Sequence, residues 1–146
     1  MRAAPALITG MGLGAGLAFL AGAFPPPSRL PAAGACRPPA QAMARIELLF
    51  GMGRQQSGEI NETEWRAFMD AEITPRFPDG LTVLTGYGQW RGASGTLVKE
   101  TSRVLLVWIK PDPGNNEKIE AIRAAWRSAF HQEGVMRVDD TSCVSF

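Results

Sequence analysis

The stretch Leu81–Ile109, LTVLTGYGQWRGASGTLVKETSRVLLVWI, decides the fold. Leu81–Trp90 and Thr96–Ile109 are rich in β-branched and aromatic residues, and the segment Arg91–Gly95 between them contains two glycines. Two such runs around a short glycine-bearing connection read as a β-hairpin. In the second run, Val104-Leu105-Leu106-Val107-Trp108-Ile109 is apolar at every position. Side chains alternate across a strand, so Val104, Leu106 and Trp108 share one face and Leu105, Val107 and Ile109 the other. A strand apolar on both faces is covered on both and belongs near the middle of a sheet.

On the N-terminal side of this hairpin, Ala44–Phe50 carries Ile46, Leu48, Leu49 and Phe50 and reads as a strand, broken by Gly51-Met52-Gly53. Asn61 with Glu64 three residues on is an N-cap with its reciprocal partner. Trp65, Phe68, Met69 and Ile73 then repeat at helical spacing, and Thr74-Pro75 ends that helix. Pro78-Asp79-Gly80 is a turn. On the C-terminal side, Ile119, Ile122, Trp126 and Phe130 line one face of a second helix, with Gly134 as its stop. A last strand starts at Val135–Val138 and extends toward Val144.

The resulting order, βαββαβ, is that of an α+β ferredoxin-like unit. It has a four-stranded antiparallel sheet of order 4-1-3-2 with two helices on one face. Two helices cover only one face of the central strand. The other face therefore calls for a second sheet, a partner or a ligand, and a homodimer through the sheet face is the simplest cover, because a two-fold axis lets one patch complement itself.

Residues 1–23 read as a secretory signal, with Arg2, an apolar stretch from Leu7 to Phe24 and the small-residue ending Ala21-Gly22-Ala23. An uncleaved anchor is the rival, although the many Gly and Ala residues favour insertion little. Residues 24–43 form a proline-rich linker, and residues 44–146 a single domain. The chain of 146 residues has 15 Lys+Arg against 14 Asp+Glu and no basic run, which argues against a nucleic-acid surface or a polybasic membrane site. The expected mature chain has no membrane span and is periplasmic or secreted.

Cys36 and Cys143 are the two cysteines. In an exported chain an even count favours a disulfide. In this topology the start of the first strand lies beside the end of the last, so the two residues can meet. Closing a loop of roughly 100 residues contributes on the order of 4 kcal/mol by chain entropy. Small residues before Cys36, in Ala33-Gly34-Ala35, leave a lipid anchor through Cys36 as the alternative, and two free thiols as a third state.

His131 is the only histidine and sits at the end of the second helix, a favourable place for positive charge. With one His and two Cys there is no multi-ligand zinc pattern, and no metal or cofactor is expected. No G-x-S-x-G elbow is present. Gly51-x-Gly53 is followed by Gln56 where a dinucleotide fingerprint needs glycine. Asn61-Glu62-Thr63 matches a glycosylation sequon, but Asn61 serves as the helix cap.

The candidate site lies in the hairpin. With a simple five-residue connection Arg91–Gly95, Trp90 pairs with Thr96, Gly88 with Val98, Gly86 with Glu100 and Leu84 with Ser102. Trp90, Glu100, Ser102 and Trp108 then share one face, with Gly86 and Gly88 leaving space between them. One carboxylate and two indoles around a gap make a small-ligand pocket. Arg76 and Arg91 flank the hairpin and are further candidates. The bland alternative is two core indoles, a solvated Glu100 and glycines that serve sheet twist.

Several blocks form a recognisable series: Glu47-Leu48-Leu49-Phe50-Gly51, Glu64-Trp65-Arg66-Ala67-Phe68, Thr74-Pro75-Arg76-Phe77-Pro78-Asp79-Gly80-Leu81-Thr82-Val83, Gln89-Trp90-Arg91, Arg103-Val104-Leu105-Leu106 and Cys143-Val144-Ser145-Phe146. Over about Ala44–Phe146 the chain resembles the bacterial family labelled domain of unknown function 3574. The resemblance implies a small exported or lipoprotein-like chain and supplies no catalytic residues. Two functions stand open. One is a small periplasmic module that binds a ligand or partner on its sheet. The other, by analogy of fold, is a cofactor-free enzyme of the dimeric α+β barrel kind.

Overall fold

A computed structural model describes residues 36–54 and 58–146. The expected signal and the first part of the linker lie outside the described residues. Four strands, β1 (Gln41–Gly51), β2 (Thr82–Arg91), β3 (Leu97–Ile109) and β4 (Met136–Val144), form one sheet in the order β2-β3-β1-β4. Every neighbouring pair is antiparallel. This is the expected α+β order read from the other edge. β1 begins at Gln41, ahead of the expected Ala44.

Helix α1 (Glu62–Phe68) starts at the Asn61 cap: the Asn61 side chain accepts from the Glu64 N–H, and the Glu64 carboxylate accepts from the Asn61 N–H, both at 3.0 Å. The helical path then widens into a π turn, Met69–Ile73, which the periodicity did not reveal. Helix α2 spans Asn115–Phe130. It stops at His131, which takes the left-handed conformation at φ 55°, three residues before the expected stop at Gly134. His131 is therefore the residue that terminates the helix, rather than part of its last turn.

Ile46, Leu48 and Phe50 of β1 and Leu105 and Val107 of β3 are buried together with Trp65, Phe68, Ile119, Ile122 and Trp126 of the helices. Trp126 anchors this core, with ring centroids 4.9 Å from Phe50, 4.9 Å from Phe68 and 4.4 Å from Phe130. The opposite face keeps its apolar side chains partly open, with Leu84 51%, Trp108 36%, Met136 60% and Val138 39% exposed. Only one set of the β3 alternation is buried, so the two-faced apolar strand leaves an uncovered face within a single chain.

Cys36 and Cys143 form a disulfide. It joins the chain just before β1 to the end of β4, where Ala42 pairs with Cys143. The thioether of a lipid anchor would need the same sulfur, so the disulfide and a lipid anchor at Cys36 are mutually exclusive. No described helix is long and apolar enough to cross a membrane.

Candidate functional site

The hairpin differs in register from the simple-loop expectation. Trp90 pairs with Val98, Gly88 with Glu100 and Gly86 with Ser102. The centre of the connection moves from Ala93 to Ser94. The cause is the tip itself: Gly95 adopts φ 82°, its N–H donates to Gly92 O at 2.8 Å, and the Gly92 N–H donates to Thr96 O at 3.0 Å. The shift preserves the alternation, so Trp90, Glu100, Ser102 and Trp108 still share the open face.

The corrected register explains a hollow. Ser102 lies between Gly86 on β2 and Gly51 on β1. Glu100 lies opposite Gly88, and on its other side the chain leaves β1 through Met52 and Gly53. Glycine on both flanks removes the side chains that would fill the face here. A Cβ on Gly51 would stand 2.5 Å from Glu100 Oε1, one on Gly53 2.8 Å from Glu100 Oε2, and one on Gly86 2.9 Å from Ser102 Oγ. The absent Cβ atoms let the Glu100 carboxylate lie flat over the end of β1.

That carboxylate is held from two sides. Gly53 N–H donates to Oε2 at 2.7 Å, and Trp90 Nε1 donates to Oε1 at 2.6 Å. The residues after α2 close the end of the sheet: Gln132 Nε2 donates to Gly53 O at 2.5 Å, and Ala93 N–H donates to the Glu133 carboxylate at 3.2 Å. Adjacent residues thus tie both the β1 end and the hairpin tip to the segment that enters β4. The resulting open-sided cavity measures about 370 Å³. Leu49, Val135 and Met136 supply apolar wall, and Trp90, Glu100 and Ser102 the polar edge.

Val135 is fixed from behind. Arg123 donates to Val135 O through Nε at 3.0 Å and Nη2 at 2.9 Å, and also binds Glu120. Arg137 joins Glu120 to Asp139. Hydrogen bonds from Arg123 and then from Arg137 lower the Glu120 pKa below the usual carboxylate value. Bonding to Asp139 first, and to Glu120, raises that of Arg137.

Of the sequence-derived candidates, the fold brings Trp90, Glu100 and Ser102 to the cavity and does not bring the two arginines. Arg76 binds the Glu72 carbonyl and carboxylate on the helical side. Arg91 donates to Gly95 O and braces the hairpin tip. Trp108 lies on the same face but outside the cavity, under the Arg45 guanidinium at 5.9 Å. The sequence reading missed Gln132, whose partner is distant in the chain, and the roles of Gly51 and Gly53. Those two were visible as a strand break, and a glycine pair at a strand end is itself a signal of close approach.

The family model described as "Protein of unknown function (DUF3574)" matches residues 45–146. No curated protein matches the chain. Among solved structures, the fold is similar to a phage SAM lyase in complex with S-methyl-5'-thioadenosine. The TM-score is 0.58 at 14% identity, over 71% of this chain and 90% of that one. A phage SAM lyase in the apo state aligns with TM-score 0.47 and 17% identity, over 73% and 90% of the two chains.

Proposed function

For a chain that belongs to the family of proteins of unknown function DUF3574, we propose the role of an extracytoplasmic module that binds a small molecule at the end of its sheet. The observation that carries this reading is the glycine-floored cavity of about 370 Å³ beside a fixed carboxylate and an indole. Its size lies within the range of about 300–1,000 Å³ typical of ligand sites, and its lining has the usual composition of apolar wall plus a few placed polar groups. The disulfide supports an oxidising compartment, as does the signal-like N-terminus. Native mass spectrometry of the protein purified from its own host tests the proposal. A retained small molecule lost on Trp90→Ala supports it, and a molecule retained equally by that variant defeats this location.

The same reading includes a second copy packed on the open face. Leu84, Val104, Leu106, Trp108 and Val138 form its apolar part. The charges beside them, Arg45 and Glu47, already pair within β1 at 2.5 Å. A two-fold axis across the strands sets Arg45 of one copy near Glu47 of the other, so the patch is self-complementary in charge as well as apolar. Sedimentation at micromolar concentration should show a dimer that Trp108→Glu dissociates. A monomer at that concentration refutes it, and residues 24–35 are then the next occupant to test.

A cofactor-free enzyme of the dimeric α+β barrel kind is the second reading, and the fold shared with a phage SAM lyase is what favours it. Incubation with SAM followed by mass spectrometry distinguishes the two: consumption that Glu100→Gln abolishes supports the enzyme, and unchanged SAM leaves the binding module.

A further inference from the structure

The carboxylate of Glu100 has hydrogen-bond donors but no counter-charge. Its two partners, Gly53 N–H and Trp90 Nε1–H, are neutral. Neutral donors orient a carboxylate and leave its charge in place. Among the described residues no Lys, Arg or His forms an ion pair with it. The arginines of the surrounding segments have other partners: Arg54 pairs with Glu64, Arg103 with Glu62, and Arg91 binds the Gly95 carbonyl. Lys99, beside Glu100 in the chain, belongs to the opposite face of the sheet by strand alternation. The cavity lining contains no basic side chain at all. Its other members are apolar, glycine, or the neutral polar groups of Gln89, Ser102 and Gln132.

From this imbalance we infer that the cavity takes an organic cation: an ammonium or guanidinium group on a small apolar body, with the cationic head against Glu100 and the body against Leu49, Val135 and Met136. The inference rests on the ligand-binding reading of the same cavity. A uniformly apolar ligand would leave the carboxylate facing it without compensation, and an anionic one would add repulsion. A cation removes the penalty, and two of its N–H groups find a free lone pair, one on each carboxylate oxygen, because each oxygen accepts only one bond from the protein.

Three probes with a shared phenyl body test the claim by calorimetric titration of the full chain: phenethylamine, 2-phenylethanol and phenylacetate. The expected result is that phenethylamine binds at least about tenfold tighter than 2-phenylethanol, the effect of a single charge-assisted hydrogen bond, and that phenylacetate is weakest. Glu100→Gln should remove most of the preference for phenethylamine over 2-phenylethanol, read as the ratio of the two affinities within the variant. Should that variant fail to fold, rising salt in the wild-type protein must weaken phenethylamine and spare 2-phenylethanol. If 2-phenylethanol or phenylacetate binds as tightly as phenethylamine, the cation inference falls and the cavity stands. If none of the three binds at millimolar concentration, the inference falls together with the ligand-binding reading.

Discussion

Replacing Gly51 with Ala separates the floor of the cavity from the rest of the fold. Gly51 is not among the glycines with positive φ, so alanine meets no backbone strain. What it meets is the carboxylate. The added Cβ would lie 2.5 Å from Glu100 Oε1 and 2.8 Å from both Cδ and Oε2, against about 3.4 Å for an ordinary contact. Relief requires the carboxylate to retreat by roughly 0.6–0.9 Å. The bonds to Gly53 and Trp90 start at 2.7 and 2.6 Å, and a retreat of that size carries them to the edge of hydrogen bonding. A glutamate end is flexible, so the clash itself is relieved cheaply. The net loss is that of two charge-assisted bonds partly replaced by water, on the order of 1–3 kcal/mol. Urea unfolding followed by tryptophan fluorescence measures it, and titration with phenethylamine reports the site. We expect a stability loss in that range and at least about a tenfold loss in phenethylamine affinity. Unchanged stability together with unchanged affinity would refute the idea that the missing Cβ seats the carboxylate.

Cys143→Ser opens a loop with a sequence separation of 107 residues, and chain entropy sets the loss at about 4.7 kcal/mol, a large part of a domain's total stability. Equal urea midpoints with and without reductant would contradict this. Trp126→Ala removes the ring on which Phe50, Phe68 and Phe130 converge, and should cost about 3–5 kcal/mol in the same assay. Glu120 has a folded pKa below its unfolded value of about 4.3, so its contribution is present above that pH and lost as pH falls through the lower folded value. Glu120→Gln should therefore lower the melting temperature at pH 7, with the difference from wild type vanishing under strongly acidic conditions. A difference that grows with acid would reverse the assigned sign.

Local pattern was enough for the elements and their order. The unbroken run Val104–Ile109 marked a central strand, the Asn61–Glu64 box marked a helix start, and both lie where the pattern put them. Those signals depend on neighbours within a few residues, which a sequence records directly. The π turn at Met69–Ile73 escaped because a single widened turn barely changes the apolar spacing. The end of α2 escaped because His131 accepts a left-handed conformation that glycine normally takes.

By itself the sequence determined the βαββαβ order and the face alternation of the hairpin, and it brought the two cysteines within reach of each other without choosing among their states. The first two follow from periodicity and from a topology with few alternatives. Tertiary structure alone decided the site. Register depends on which residue of the Gly92–Thr96 tip takes the positive φ, and a shift there moved Glu100 from opposite Gly86 to opposite Gly88. The Glu100 carboxylate then met Gly53, 47 residues away in the chain, while Gln132 reached Gly53 across 79. Contacts at that separation have no local signature, because they form only once the sheet and the end of α2 fix the distance between the groups. For the same reason Arg76 and Arg91, close to the hairpin in sequence, end on partners of their own.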